Sequence, residues 1–68
     1  MSFVGKVVYT VNAKTNEVDY WVCSGEITGL YRGNKERLCV LRRDRKSCIL
    51  PKRCVFESWE KASAVAKR

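Results

Sequence analysis

The chain contains no histidine, and this absence removes several kinds of catalytic site at once. Without an imidazole there is no histidine base to activate a serine or cysteine nucleophile. No glycine-rich phosphate-binding motif is present, and the acidic residues are scattered over turns and strand ends. Glu26, on the longest predicted strand, is interpreted as an exposed partner of a nearby lysine or arginine. We therefore predict that the protein is not an enzyme, with no catalytic residues and no cofactor.

The four cysteines, Cys23, Cys39, Cys48 and Cys54, lack the close pairing that metal and redox sites use. No Cys-x-x-Cys pair occurs, so we predict no metal site. The first three lie within apolar runs, where cysteine acts as a small core side chain. Cys54 follows two basic residues that favour a thiolate, but no base lies beside it in the sequence.

Long apolar runs and a secretory leader are also missing. No stretch approaches the roughly 18 apolar residues of a membrane-spanning helix, so we expect no membrane partner. The start, MSFVGKVVY, has no basic segment followed by a continuous apolar one. We predict a single domain over residues 1–68 in the cytoplasm, with free thiols. Because a chain of 68 residues buries a thin core, a homo-oligomer is one way to gain stability.

Positive charge is concentrated in one third of the chain. The formal net charge is +7, and the segment 32–53 carries most of the basic residues against only Glu36 and Asp44. A concentrated positive field attracts polyanions, with nucleic acid first among them, although basic turns also serve solubility. The basic residues of this segment are Arg32, Lys35, Arg37, Arg42, Arg43, Arg45, Lys46, Lys52 and Arg53.

Short stretches rich in β-branched and aromatic residues alternate with polar turns, which predicts a mainly β protein. In the second stretch, alternation places Trp21, Cys23 and Ile27 on one face, with a bend at Gly25 or Gly29. The predicted strands cover residues 4–11, 18–32, 36–42, 47–50 and 55–56.

The last segment changes to a helical period. Ser58 is a suitable N-cap, and Trp59, Ala62 and Ala66 recur on one helical face. We predict a short helix over about residues 58–67, with this apolar stripe packed over an open end of the sheet structure.

Two stretches resemble a known superfold. GEITGLYRG, residues 25–33, and CILPKRCVFES, residues 48–58, resemble the middle and the end of small SH3-like barrels. The resemblance covers roughly residues 20–58. It implies a small five-stranded SH3-like barrel, over about residues 3–57, with a short C-terminal helix.

Three groups of proteins share parts of this pattern. Type II dihydrofolate reductase is similar at residues 25–29 and 49–51, but residues 47–50 lack its Val-Gln-Ile-Tyr signature, so its activity is not inferred. KOW and Tudor-like binders of nucleic acids or peptides share the barrel. The ending LPKRCVFESWEKA, residues 50–62, resembles that of small uncharacterised bacterial and phage proteins.

These observations predict a small basic binding module that contacts DNA or RNA phosphates through the turns of residues 32–53. The basic residues make one continuous surface if the two hairpin turns lie on the same side of the barrel. Tyr20 and Tyr31 could stack on bases, whereas Trp21 is expected to pack in the core. The alternative is a protein-interaction module or self-assembling adaptor, with an acidic protein partner that would be a host factor if this is a phage protein.

Overall fold

The computed structural model describes residues 2–66, which form one antiparallel sheet and one α-helix. The strands follow one another in the sheet as they do in the chain, and the sheet curls into a half-barrel. A 3-10 turn, Lys52–Cys54, links the last strand to helix α1, Trp59–Ala66. The predictions of a mainly β protein and of a C-terminal helix are confirmed. The strands are β1 (Val7–Val11), β2 (Val18–Tyr31), β3 (Asn34–Arg43) and β4 (Lys46–Pro51).

Two-residue turns close both hairpins of β3. Arg32 and Gly33 connect β2 to β3 with φ angles of 52° and 85°. Two consecutive positive φ angles make a mirror-image turn, whose twist matches that of the flanking strands. Asp44, with a φ of 53°, begins the turn from β3 to β4. Because both turns are so short, β3 is longer at each end than the predicted strand over residues 36–42.

A β-bulge at Ser24 bends β2. The pairing with β3 shifts between Cys23 and Gly25, so Ser24 is an extra residue on the longer strand. An extra residue increases the local twist and bends the strand, which supports the curl of the sheet. The bend lies beside Gly25, one of the two glycines from which it was predicted.

The bulge also changes which side chains of β2 face the core. Cys23 is fully buried on the inner face of the sheet, whereas Ile27 is exposed on the outer face. The prediction that Trp21, Cys23 and Ile27 share a face is wrong, because one inserted residue inverts the alternation beyond it. Glu26 takes the inward position instead.

The core is small and lies on the inner face. Cys23 and Cys39 are buried in it, and Cys48 packs against it, as predicted. All four thiols are free. Burial, together with the neighbouring Cys23, raises the pKa of the Cys39 thiol to about 11, so this thiol is protonated at neutral pH. The buried cluster consists of Val8, Cys23, Cys39, Leu41 and Val55, with Phe3, Trp21, Cys48 and Leu50 packed around it.

The predicted fifth strand over residues 55–56 is a single antiparallel bridge between Phe56 and Tyr9. Each of these residues donates its backbone N–H to the carbonyl of the other, at 2.8 Å in both directions. Val55 is buried in the core beside this bridge. After β4 the chain thus returns to the free edge of β1, where it forms this one bridge and no longer strand pairing.

Helix α1 begins after Ser58, whose Oγ accepts a hydrogen bond from the backbone N–H of Lys61 at 3.3 Å. The helix packs on β1 and β2 and buries Ala62, in agreement with the predicted stripe. Trp59 is exposed, so the stripe does not include it. Residue 67, predicted as the end of the helix, lies outside the described residues. No helix within residues 2–66 is long and apolar enough to cross a membrane.

The β2–β3 turn gives a test of the fold. Gly33→Ala should lower the free energy of unfolding by about 1–2 kcal/mol, because a side chain is strained at a positive φ. Gly25→Ala is the matched control, since a Cβ at Gly25 meets no atom within 4 Å and needs no left-handed backbone. Urea denaturation measures both variants. Equal losses would contradict the turn geometry.

Candidate nucleic-acid interface

Strand β3 separates the two basic turns. It runs for 10 residues between them, and antiparallel strands rise about 3.4 Å per residue. The turns therefore lie at opposite ends of a molecule whose longest extent is 29 Å. The basic residues fall into two groups rather than one surface. The β2–β3 end holds Arg32, Lys35, Arg37, Lys52 and Arg53, and the β3–β4 end holds Arg42, Arg43, Arg45 and Lys46.

At the β2–β3 end, a buried carboxylate forms ion pairs with two of the basic residues that were predicted to contact phosphates. The Oε1 atom of Glu26 lies 3.2 Å from Lys52 Nζ and 3.3 Å from Arg37 Nε. The side chain of Glu26 is only 4% exposed. Its expected pairing with lysine and arginine is present, but its expected exposure is wrong, because the bulge in β2 turns it inward.

Glu26 also holds the N-terminal segment on the sheet. Its Oε2 atom accepts hydrogen bonds from the backbone N–H of Phe3 at 2.8 Å and from the Ser2 hydroxyl at 3.1 Å. The N–H of Phe3, and then Lys52 and Arg37, lower the pKa of this carboxyl from 4.5 to about 2, although burial acts in the opposite direction. Glu26 is therefore ionised at neutral pH and connects three separate segments of the chain.

A second ion pair at this end involves Arg53. Its Nε and Nη2 atoms donate to the two carboxylate oxygens of Glu36 at 2.7 and 3.4 Å. This forked contact lowers the pKa of Glu36 and raises that of Arg53. Arg53 is thus neutralised by Glu36, whereas Glu26, with one negative charge, offsets only one of the two positive charges of Arg37 and Lys52.

The remaining basic residues of the β2–β3 end are Arg32 and Lys35, both exposed. The Arg32 guanidinium lies 5.6 Å from the centroid of the Tyr31 ring. Tyr31 is half-buried, so its predicted role in base stacking has limited surface available.

The β3–β4 end carries a different kind of basic surface. Arg42, Arg45 and Lys46 are exposed, and none of them forms an ion pair with any residue in the part of the chain that the structure describes. Asp44 lies in the same turn, but no ion pair within residues 2–66 includes it. Three cations in and beside one hairpin turn are therefore available to an external anion.

Arg43, the fourth basic residue at this end, is fixed against aromatic rings. Its guanidinium carbon lies 4.6 Å from the Trp21 ring centroid and 5.4 Å from that of Tyr20. Its Nη1 atom donates to the Tyr20 carbonyl at 3.4 Å and lies 3.8 Å from an Asp19 carboxylate oxygen. Cation–π attraction therefore holds the Arg43 guanidinium against these two rings.

The two neighbouring aromatic residues differ in exposure. Trp21 is half-buried, packs against the core as predicted, and donates its indole N–H to Thr10 Oγ1 at 3.1 Å. Tyr20 is 54% exposed and lies beside the turn that carries the three unpaired cations. The sequence singles out Tyr20, Trp21 and the basic residues of this end, but it does not predict that they lie together.

A third surface, not singled out from the sequence, is the outer face of the sheet. Strand pairing places Val7 opposite Val22, and Val40 opposite Ile49. Val7, Val22 and Ile49 are exposed on this face together with Ile27. Ile27 joins this face only because of the bulge, so the alternation of residues alone does not predict its place there. We call these residues the outer apolar face.

Comparison with known proteins yields no match to any protein-family model, curated protein or solved structure. Within residues 2–66, no pocket opens and no three potential metal ligands come together.

The pKa of Glu26 predicts how stability depends on pH. The folded state stabilises the ionised carboxyl, so this contribution is complete above pH 4.5 and is lost as the pH falls towards about 2. Glu26→Gln should lower the stability at pH 7 and flatten the acid limb between pH 4.5 and 2. Denaturant titrations at a series of pH values measure this. Glu17→Gln, at an exposed turn residue, is the control, and an equal effect there would contradict the role of Glu26.

Proposed function

We propose that this protein is a small, non-catalytic module that binds nucleic-acid phosphates through the β3–β4 end. The observation that carries the proposal is the group of three exposed cations, Arg42, Arg45 and Lys46, without intramolecular ion pairs. Phosphates bound there would replace counterions, as in other proteins that bind the nucleic-acid backbone. The β2–β3 end has a smaller role in this proposal, because three of its five basic residues, Arg37, Lys52 and Arg53, are already engaged in ion pairs with Glu26 and Glu36.

The proposed scaffold is an SH3-like barrel. The order of four consecutive antiparallel strands, the 3-10 turn after β4 and the return of Phe56 to β1 support this assignment. The bridge at Phe56 would then be a minimal fifth strand. Four free thiols support a reducing compartment, such as the cytoplasm.

A charge-neutralising variant tests the binding proposal. Replacing Arg42, Arg45 and Lys46 by glutamine should weaken binding to a labelled oligonucleotide and reduce the slope of log affinity against log salt by about 2–3. The reason is that each lost phosphate contact removes about one released counterion. Fluorescence anisotropy over a range of salt concentrations measures both effects.

The matched control neutralises the opposite end of the molecule. Arg32→Gln with Lys35→Gln also removes exposed cations and should change the salt slope much less. If this pair weakens binding as strongly as the first variant, the positive charge acts as a whole and no distinct interface exists. If the unmodified protein does not bind at low salt, the proposal fails.

A second candidate function is protein interaction, which the outer apolar face favours. Large exposed apolar patches mark interaction surfaces, and a second copy of the chain could cover these residues. A homo-oligomer through this face is the version that can be tested directly.

Self-association should be visible as a rise in average mass with protein concentration in sedimentation experiments. Ile27→Glu, on the outer apolar face, should prevent it because a charge would be buried in the interface. Leu30→Glu is the control, since Leu30 is 75% exposed near the β2–β3 turn and lies on the opposite side of β2. A constant mass of 7.8 kDa at all concentrations would contradict self-association.

A further inference from the structure

Tyr20 is the aromatic residue best placed to contact a ligand held at the β3–β4 end. Its ring is more than half exposed. It shares the outer face of β2 with Val22, which pairs with Arg42 on β3. Two residues along a strand correspond to about 7 Å and one step between strands to about 4.8 Å. A phosphate at Arg42 and a base on Tyr20 are therefore within the span of neighbouring parts of one nucleic-acid chain.

The Tyr20 ring is also held in place before any ligand binds. Arg43 lies 5.4 Å from the ring centroid and donates to the Tyr20 carbonyl. In the β1–β2 ladder, Tyr20 is paired with Tyr9, which is itself fixed by the bridge to Phe56. A ring that is already ordered costs little conformational entropy when a ligand stacks on it.

The other aromatic residues are less suited to this role. Trp21 is half-buried, its ring lies 4.6 Å from the Arg43 guanidinium, and its N–H is donated to Thr10. Tyr31 lies at the opposite end of β3 and is half-buried. Trp59 is exposed on helix α1, and no cation within residues 2–66 lies over its ring.

We propose that the preferred ligand is single-stranded nucleic acid, with an unpaired base stacked on Tyr20 and the adjoining phosphates on Arg42, Arg45 and Lys46. A tyrosine ring recognises the flat face of a base, which is accessible in a single strand and covered by neighbouring bases in a duplex. Every base has such a face, so the contact tolerates any sequence. This inference rests on the proposed phosphate-binding function and adds the class of ligand.

The test compares three ligands at low salt by fluorescence anisotropy: a labelled ten-nucleotide thymidine oligomer, an abasic oligomer of equal length, and a duplex of equal length. The abasic strand keeps the phosphates and lacks the bases. The expected result is that the thymidine oligomer binds about tenfold more tightly than the abasic strand. A tenfold difference in affinity lies within the range that the stacking of one base on an aromatic side chain contributes. It should also bind more tightly than the duplex.

Three variants identify the residue responsible. Tyr20→Ala should remove the preference for the thymidine oligomer over the abasic strand, Tyr20→Phe should keep it, and Tyr31→Ala should leave it unchanged. If Tyr20→Ala does not fold, as judged by circular dichroism, the unmodified protein still shows whether bases contribute to binding, and loss of the preference in Tyr31→Ala would overturn the role of Tyr20. Equal, salt-dependent binding of all three ligands overturns the stacking proposal but leaves the phosphate-binding function intact. Absence of binding to every ligand at low salt overturns both.

Discussion

The fold depends on a buried carboxylate. Glu26 is almost completely enclosed, yet ionised, and this is possible only because a backbone N–H, a hydroxyl and two cations surround it. These partners come from the N-terminal segment, from β3 and from the 3-10 turn. Removal of the charge would therefore weaken the attachment of these three segments to one another at once. The bulge at Ser24 is what turns this side chain inward.

The same interaction determines how the positive charge of the protein can be used. The chain has 14 lysine and arginine residues, but those near Glu26 and Glu36 are already paired. At the β3–β4 end Arg43 is paired with Asp19, whereas Arg42, Arg45 and Lys46 remain exposed and form no ion pair within residues 2–66. The two ends of β3 thus differ in how many of their basic residues are held in ion pairs, which is three of five at the β2–β3 end and one of four at the β3–β4 end. This difference supports the assignment of the binding surface to one end.

Part of this arrangement was predictable from the sequence. The hairpins, the helix cap at Ser58 and the burial of Cys23 and Cys39 follow from local composition and alternation, which act over a few residues. The inward position of Glu26 and the outward position of Ile27 depend on one inserted residue, which leaves no mark in the alternation. The separation of Arg32 from Arg45 depends on the length of β3, which the two-residue turns extend. The predicted strand over residues 55–56 is a single bridge in the structure, because only Phe56 pairs with the edge of β1.

The proposed role of the β3–β4 end as the surface that contacts nucleic acid can be tested directly. The most direct measurement is a two-dimensional ¹H–¹⁵N NMR titration of the labelled protein with an unlabelled single-stranded oligonucleotide. We expect shifts confined to Tyr20 and to the backbone amides of the turn between Arg42 and Lys46, with the amides of Arg32 and Lys35 unaffected. Shifts concentrated around Arg32 and Lys35, or spread evenly over both ends of β3, would contradict it.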